Sequence, residues 1–181
     1  MNMPATTLIE TRVAQPAPMP CADDVDALST LINLAGRQRM LSQRIVLFCV
    51  LSAQGDGAAL TTAQEALDLF RGSHQRLLAS RERLPQDAAR ALQDGFFGAP
   101  AFDARAREFL RLAEDTLVAV AGGQPAARRL VGSLVARATP MLSLLNDMTQ
   151  LYETLARRHA LAQRQQLAAL IERLSRAAGA N

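Results

Sequence analysis

At 181 residues the chain is long enough for one domain with a sizeable core. Its composition is 49% hydrophobic and 4% aromatic, without tryptophan and rich in Ala, Leu, Arg and Gln, which favours an all-α bundle. Twenty basic residues, every one an arginine, against 17 acidic ones leave +3, too small a surplus to identify a nucleic-acid-binding protein.

In chain order, residues 1–22 hold four of the eight prolines and little periodicity, the pattern of a disordered or loosely docked tail. This stretch has no basic leader and no apolar block, so it does not read as a secretory signal. Asp23 and Asp24 are candidate N-caps for a long first helix running to about Ala53, where Gln54-Gly55-Asp56-Gly57 breaks it. Thr62 and Glu65 form a capping-box pattern for a second helix over about 62–84. Pro85 ends that helix or begins a short one stopping at Gly95. Gly95 to Pro100 is expected as a loop whose Phe96 and Phe97 plug one end of the bundle. Asp103 is a candidate cap for a third helix to about Ala121, and Gly122-Gly123-Gln124-Pro125 reads as a turn. A fourth helix follows from Ala126 to about Ala177, with a kink or break expected near Ala138–Thr139 because Pro140 lacks an N–H. These elements predict an antiparallel four-helix bundle over residues 23–178. The longest apolar run, Ile45–Leu51, has only seven residues, where a membrane span needs about 20. A soluble, cytoplasmic protein with no membrane span is expected.

The first helix carries the most informative segment, INLAGRQRMLSQRI (Ile32–Ile45), with three arginines in a stretch otherwise suited to burial. On four-three spacing one seam reads Leu28, Ile32, Ala35, Arg39, Ser42, Val46, Cys49, Ala53, and a neighbouring stripe reads Leu31, Leu34, Leu41, Ile45, Phe48. Two adjoining apolar faces let this helix pack inside its own bundle and against a second subunit. Arg39 occupies the middle of the seam among small neighbours, Ala35, Gly36 and Ser42, and its side chain should lean back over Gly36 and Ala35. A mid-helix glycine costs up to about 1 kcal/mol relative to alanine, which makes sense where something approaches the backbone closely. A guanidinium stays protonated, so at such a seam it demands an anion. A two-fold axis there would bring two Arg39 side chains together, and a planar oxyanion between them would relieve their repulsion. The plainer reading is that Arg39 snorkels to solvent or pairs with a carboxylate. Arg37 and Arg44 lie about 160° and 140° round the helix from Arg39 and suit solvent or salt bridges.

The segment INLAGRQRMLSQR resembles the signature of PilJ-type sensor domains, and is similar to the P-box of NarX-type nitrate/nitrite sensor kinases and to nitrate-sensing NIT domains. The residues that carry the likeness are Gly36, Arg39-Met40, Ser42 and Arg44. A second stretch, Thr139 to Asn146 and on through Leu151-Tyr152-Glu153, is similar to a later helix of that family. The resemblance implies a four-helix sensor that dimerises through its first helix and binds nitrate or nitrite at the interface. It places the anion on Arg39 from both subunits, with Gly36 three residues earlier, and the seam adds Ala35 and Ser42 as the other residues expected at the site. Family sensors usually sit between membrane helices and feed an output domain; the residues after about 160 are too few for one, so a stand-alone domain is expected.

Cys21 and Cys49 make no disulfide framework or metal spacing and fit a reduced, intracellular protein, with Cys49 a small core residue. His74 and His159 fall on different helices without a Glu-x-x-His ligand pair and are expected at the surface or rim, so no metal and no cofactor is expected. No Ser-His-Asp set, phosphate loop or paired carboxylates can be assembled, so the protein is not expected to be an enzyme. The arginines of the last helix (Arg157, Arg158, Arg164, Arg173, Arg176) read as a solvated face or a protein contact, and nucleic acid is not expected because no aromatic residues accompany them. The expected function is a dimeric nitrate or nitrite sensor relaying to an unidentified regulatory protein. The alternative is a ligand-free helical adaptor of PilJ-like fold.

Overall fold

The computed structural model describes residues 22–179. The expected tail therefore lies, but for Ala22, outside the described residues, as do Cys21 and the Asp23 and Asp24 side chains expected as caps. Among the described residues the chain is all-α, with no strand. Its helices are α1 (Ala22–Ala53), α2 (Gly57–Ser80), α3 (Gln86–Phe97), α4 (Phe102–Ala121) and α5 (Ala127–Ala178), with a 3₁₀ turn at Arg81–Arg83.

The turn after α1 falls where the glycines predict it: Gly55 sits at φ +100°, a conformation open to glycine and strained for other residues. Asp56 then caps α2, its carboxylate accepting from the Ala58 and Ala59 N–H groups at 3.0 and 3.2 Å. This moves the start of α2 five residues ahead of the expected capping box. Thr62 instead lies inside the helix and donates to the Ala58 carbonyl at 3.3 Å.

A fifth helix, α3, occupies the stretch expected partly as loop. Ala88, Leu92 and Phe96 are buried at i, i+4 and i+8, so one face of α3 is apolar. Gly95 does not break it. A Cβ there would meet Leu151 Cδ2 at 2.9 Å and Met148 Sδ at 3.4 Å, so the missing side chain lets α3 lie against α5. Only Phe96 plugs the core. Phe97 is half exposed and stacks under the Arg81 guanidinium, 4.5 Å from its ring centre.

Of the kink or break expected at Pro140, the break is absent: α5 runs through it as one helix. Pro140 and Ala136, whose carbonyl loses its partner, are both exposed, so water can take up the carbonyl. α1 packs most extensively on α2 and α5, while α4 packs on α5, α2 and α1, and α3 lies over α4 and α5. The shared core includes Phe70, Phe96, Phe102, Phe109, Tyr152 and the leucines around them. Beyond Leu155, α5 leaves this core with Leu161, Leu167, Ile171 and Leu174 exposed.

Candidate functional site

The faces of α1 follow from its 3.6-residue period. Leu28, Leu31, Ala35, Gln38, Leu41, Ser42, Ile45 and Cys49 are buried and face the core. Gly36, Arg39, Met40, Gln43 and Leu47 look outward, with Met40 and Leu47 about half exposed (51% and 52%). The expected seam straddles this boundary. Ala35 and Ser42 lie roughly 40° and 60° round the helix from Arg39, enough to put them inside while Arg39 stays outside. Of the four residues expected at the anion site, the structure brings only Arg39 and Gly36 to one outer surface. Ala35 and Ser42 are 1% and 0% exposed and cannot touch a ligand lying on that surface. Ser42 instead donates its hydroxyl to the Arg39 carbonyl at 2.8 Å, a contact within the helix.

The Arg39 guanidinium makes no ion pair or hydrogen bond among the described residues. A Cβ built on Gly36 meets nothing within 4 Å, so packing within the subunit does not require glycine here. The outer face thus combines an uncompensated cation, an open stretch of backbone and two exposed apolar side chains. Among the described residues Arg37 and Arg44 also lack an ion pair, and the Arg44 guanidinium lies 5.6 Å from the centre of the Phe48 ring. Cys49 is a core residue as expected, its thiol pushed up to about 12 by burial.

Gln38, between the two arginines in sequence, is fully buried and neither end of its amide has a hydrogen-bond partner. An unpaired buried polar group costs about 1–3 kcal/mol. Gln38→Leu is therefore expected to raise stability by about 1–2 kcal/mol in urea unfolding, through removal of the orphaned amide at similar volume. A fall in stability instead would show that the amide is satisfied.

His74, expected at the rim, is 4% exposed, which corrects that reading. Its ring is edge-on to Phe102 at 5.3 Å and tilted against Phe96 at 6.2 Å. Nε2 lies 2.8 Å from Asp103 Oδ1, and Arg107 grips the same carboxylate through Nε and a terminal nitrogen, each at 3.0 Å. Burial pushes the His74 imidazolium below its ordinary value, and Asp103 offsets this only in part. Burial also pushes the Asp103 carboxyl up, but the hydrogen bonds from His74 and Arg107 outweigh it and leave the carboxyl below its ordinary value. His74 is thus neutral at pH 7 and donates through Nε2–H, which ties α2 to the start of α4. The partner lies 29 residues away, so no local pattern signals the pair. No group of three His, Cys, Asp or Glu residues among the described residues could hold a metal ion. No helix among them is long and apolar enough to cross a membrane.

Residues 24–99 match the family model described as the N-terminal region of the type IV pili methyl-accepting chemotaxis transducer, PilJ. The matched stretch covers most of α1 and all of α2 and α3, including Gly36 and Arg39, and is under half of the chain. It ends before α4 and α5, so the likeness of Thr139–Glu153 lies outside it. No curated protein and no solved structure matches the chain. Residues 24–99 are thus similar to a sensory, chemotaxis-transducer-like signalling domain, a description that names no ligand.

Proposed function

We propose that the chain is a non-enzymatic anion sensor, a four-helix signalling module whose two subunits pair through the outer face of α1 and hold nitrate or nitrite between their Arg39 side chains. The observation that carries this reading is the uncompensated, exposed Arg39 beside Gly36, whose backbone is open where a second helix could approach. Met40 and Leu47 supply apolar area for that approach. Two guanidiniums drawn together without an anion repel; a planar oxyanion converts the repulsion into charge-assisted hydrogen bonds. Direct contacts then come from Arg39 and the Gly36 backbone surface, with Ala35 and Ser42 supporting the helix from its core side.

At a concentration about 100 times Kd, the anion would stabilise the paired state by roughly 2.7 kcal/mol. A regulatory protein such as a kinase, transcription regulator or transporter would read the resulting shift between the two α1 helices. The test is a calorimetric and thermal-shift titration with nitrate, nitrite, chloride and sulfate. Nitrate or nitrite is expected to give a saturable shift that Arg39→Ala removes. A shift that survives Arg39→Ala, or no saturable shift with either ion, overturns the reading in favour of a ligand-free adaptor whose Arg39 takes a partner's carboxylate.

A further inference from the structure

Away from the outer face of α1, a groove of about 710 Å³ runs between the first half of α1 and the C-terminal end of α2. Its floor is apolar, built from Leu31, Leu34 and Leu84, and its walls carry Arg37, Arg76 and Arg83. Among the described residues all three arginines are exposed, none forms an ion pair, and no acidic side chain lines the groove. Other arginines do find carboxylates across helices: Arg71 pairs with Glu114 and Arg137 with Glu108. The groove thus gathers three unpaired guanidiniums around one leucine floor.

We propose that this groove receives an acidic amphipathic helix of a partner protein. The shallow trough between two neighbouring helices is the shape into which a third helix lays its side chains. Arg76 and Arg83 are seven residues apart along α2 and the following 3₁₀ turn, roughly 10–12 Å. That distance matches carboxylates at i and i+7 of a bound helix, leaving apolar residues at i+3 and i+4 over the leucines. A small inorganic anion would leave the apolar floor uncovered and would meet only solvent-screened guanidiniums. Among the described residues no aromatic side chain lines the groove, so a nucleic acid would find phosphate partners but nothing there for its bases to stack on. Arg37 lies about 160° round α1 from Arg39, so the groove and the Arg39 half-site lie on different sides of the helix. The proposal does not depend on anion sensing.

The experiment uses the full chain and a fluorescein-labelled peptide of about 18 residues, built from leucine and glutamate on a helical pattern. Anisotropy is expected to show saturable binding that falls about tenfold or more in the triple variant R37E/R76E/R83E. The reversed variant should instead take up the matching leucine/lysine peptide. Arg39→Ala should leave both results unchanged, which separates failure here from failure of the anion reading. Absence of binding by the leucine/glutamate peptide overturns the proposal. So does equal binding by a serine/glutamate peptide without leucine, which would mean charge alone. Tighter binding of inorganic phosphate or single-stranded RNA through the same arginines would reassign the groove.

Discussion

Asp103→Ala is expected to lower the free energy of unfolding by about 3 kcal/mol at pH 7, the largest single effect we foresee on stability. The change strips the buried His74 Nε2–H of its acceptor and frees Arg107, cutting the polar tie between α2 and α4. The pH profile identifies the cause. The folded Asp103 carboxyl lies below its ordinary 3.8, so its stabilisation is complete above that value and is lost as pH falls through the lower folded value. The folded His74 also lies below its ordinary 6.5. As pH drops under 6.5, the unfolded chain takes up the proton first, and stability begins to fall there. In Asp103→Ala the acid limb below pH 3.8 should flatten, and the His74 titration followed by NMR should move lower still, because the carboxylate that holds it up is gone. An unchanged His74 titration, or a loss of stability under about 1 kcal/mol, would sink this account.

The same pair shows where sequence reasoning reaches its limit. The all-α fold and the turns at Gln54–Gly57 and Gly122–Pro125 are legible because glycine and proline act locally, whatever lies around them. Gly95 reads as a breaker by the same rule, yet its role is set by Leu151 and Met148 on a helix more than 50 residues away. Pro140 reads as a kink or break, and the helix nonetheless continues through it because the affected turn faces water. On α1, periodicity identifies Arg39 and Gly36 as neighbours on one surface. It does not resolve that Ala35 and Ser42 fall just inside the core boundary, since a four-three seam drifts about 20° per heptad on a straight helix. Gln38 fills the one gap in the Leu31, Leu34, Leu41, Ile45, Phe48 stripe, so spacing points inward while its polar amide points the other way, and packing decides for burial. Groove residues Arg76 and Arg83 acquire meaning only when α2 folds back alongside Arg37.

Substitutions at Gly36 should separate subunit packing from subunit pairing, and their opposite signs make the result hard to mistake. In an isolated subunit a Cβ at this position meets nothing within 4 Å, so Gly36→Ala should stabilise α1 by about 0.5–1 kcal/mol through lost unfolded-state freedom. Gly36→Leu should likewise leave the subunit folded, because its side chain projects outward between Arg39 and Met40. If α1 pairs with a second α1 across this face, the leucine holds the two backbones apart and separates the Arg39 guanidiniums beyond the reach of one anion. Sedimentation velocity should then show Gly36→Leu as monomer under conditions where the parent chain pairs in nitrate, and its nitrate-dependent thermal shift should vanish while its urea midpoint does not fall. Retention of both pairing and the nitrate shift in Gly36→Leu would mean that the open backbone is incidental. Arg39 would then be serving some other contact than the proposed half-site.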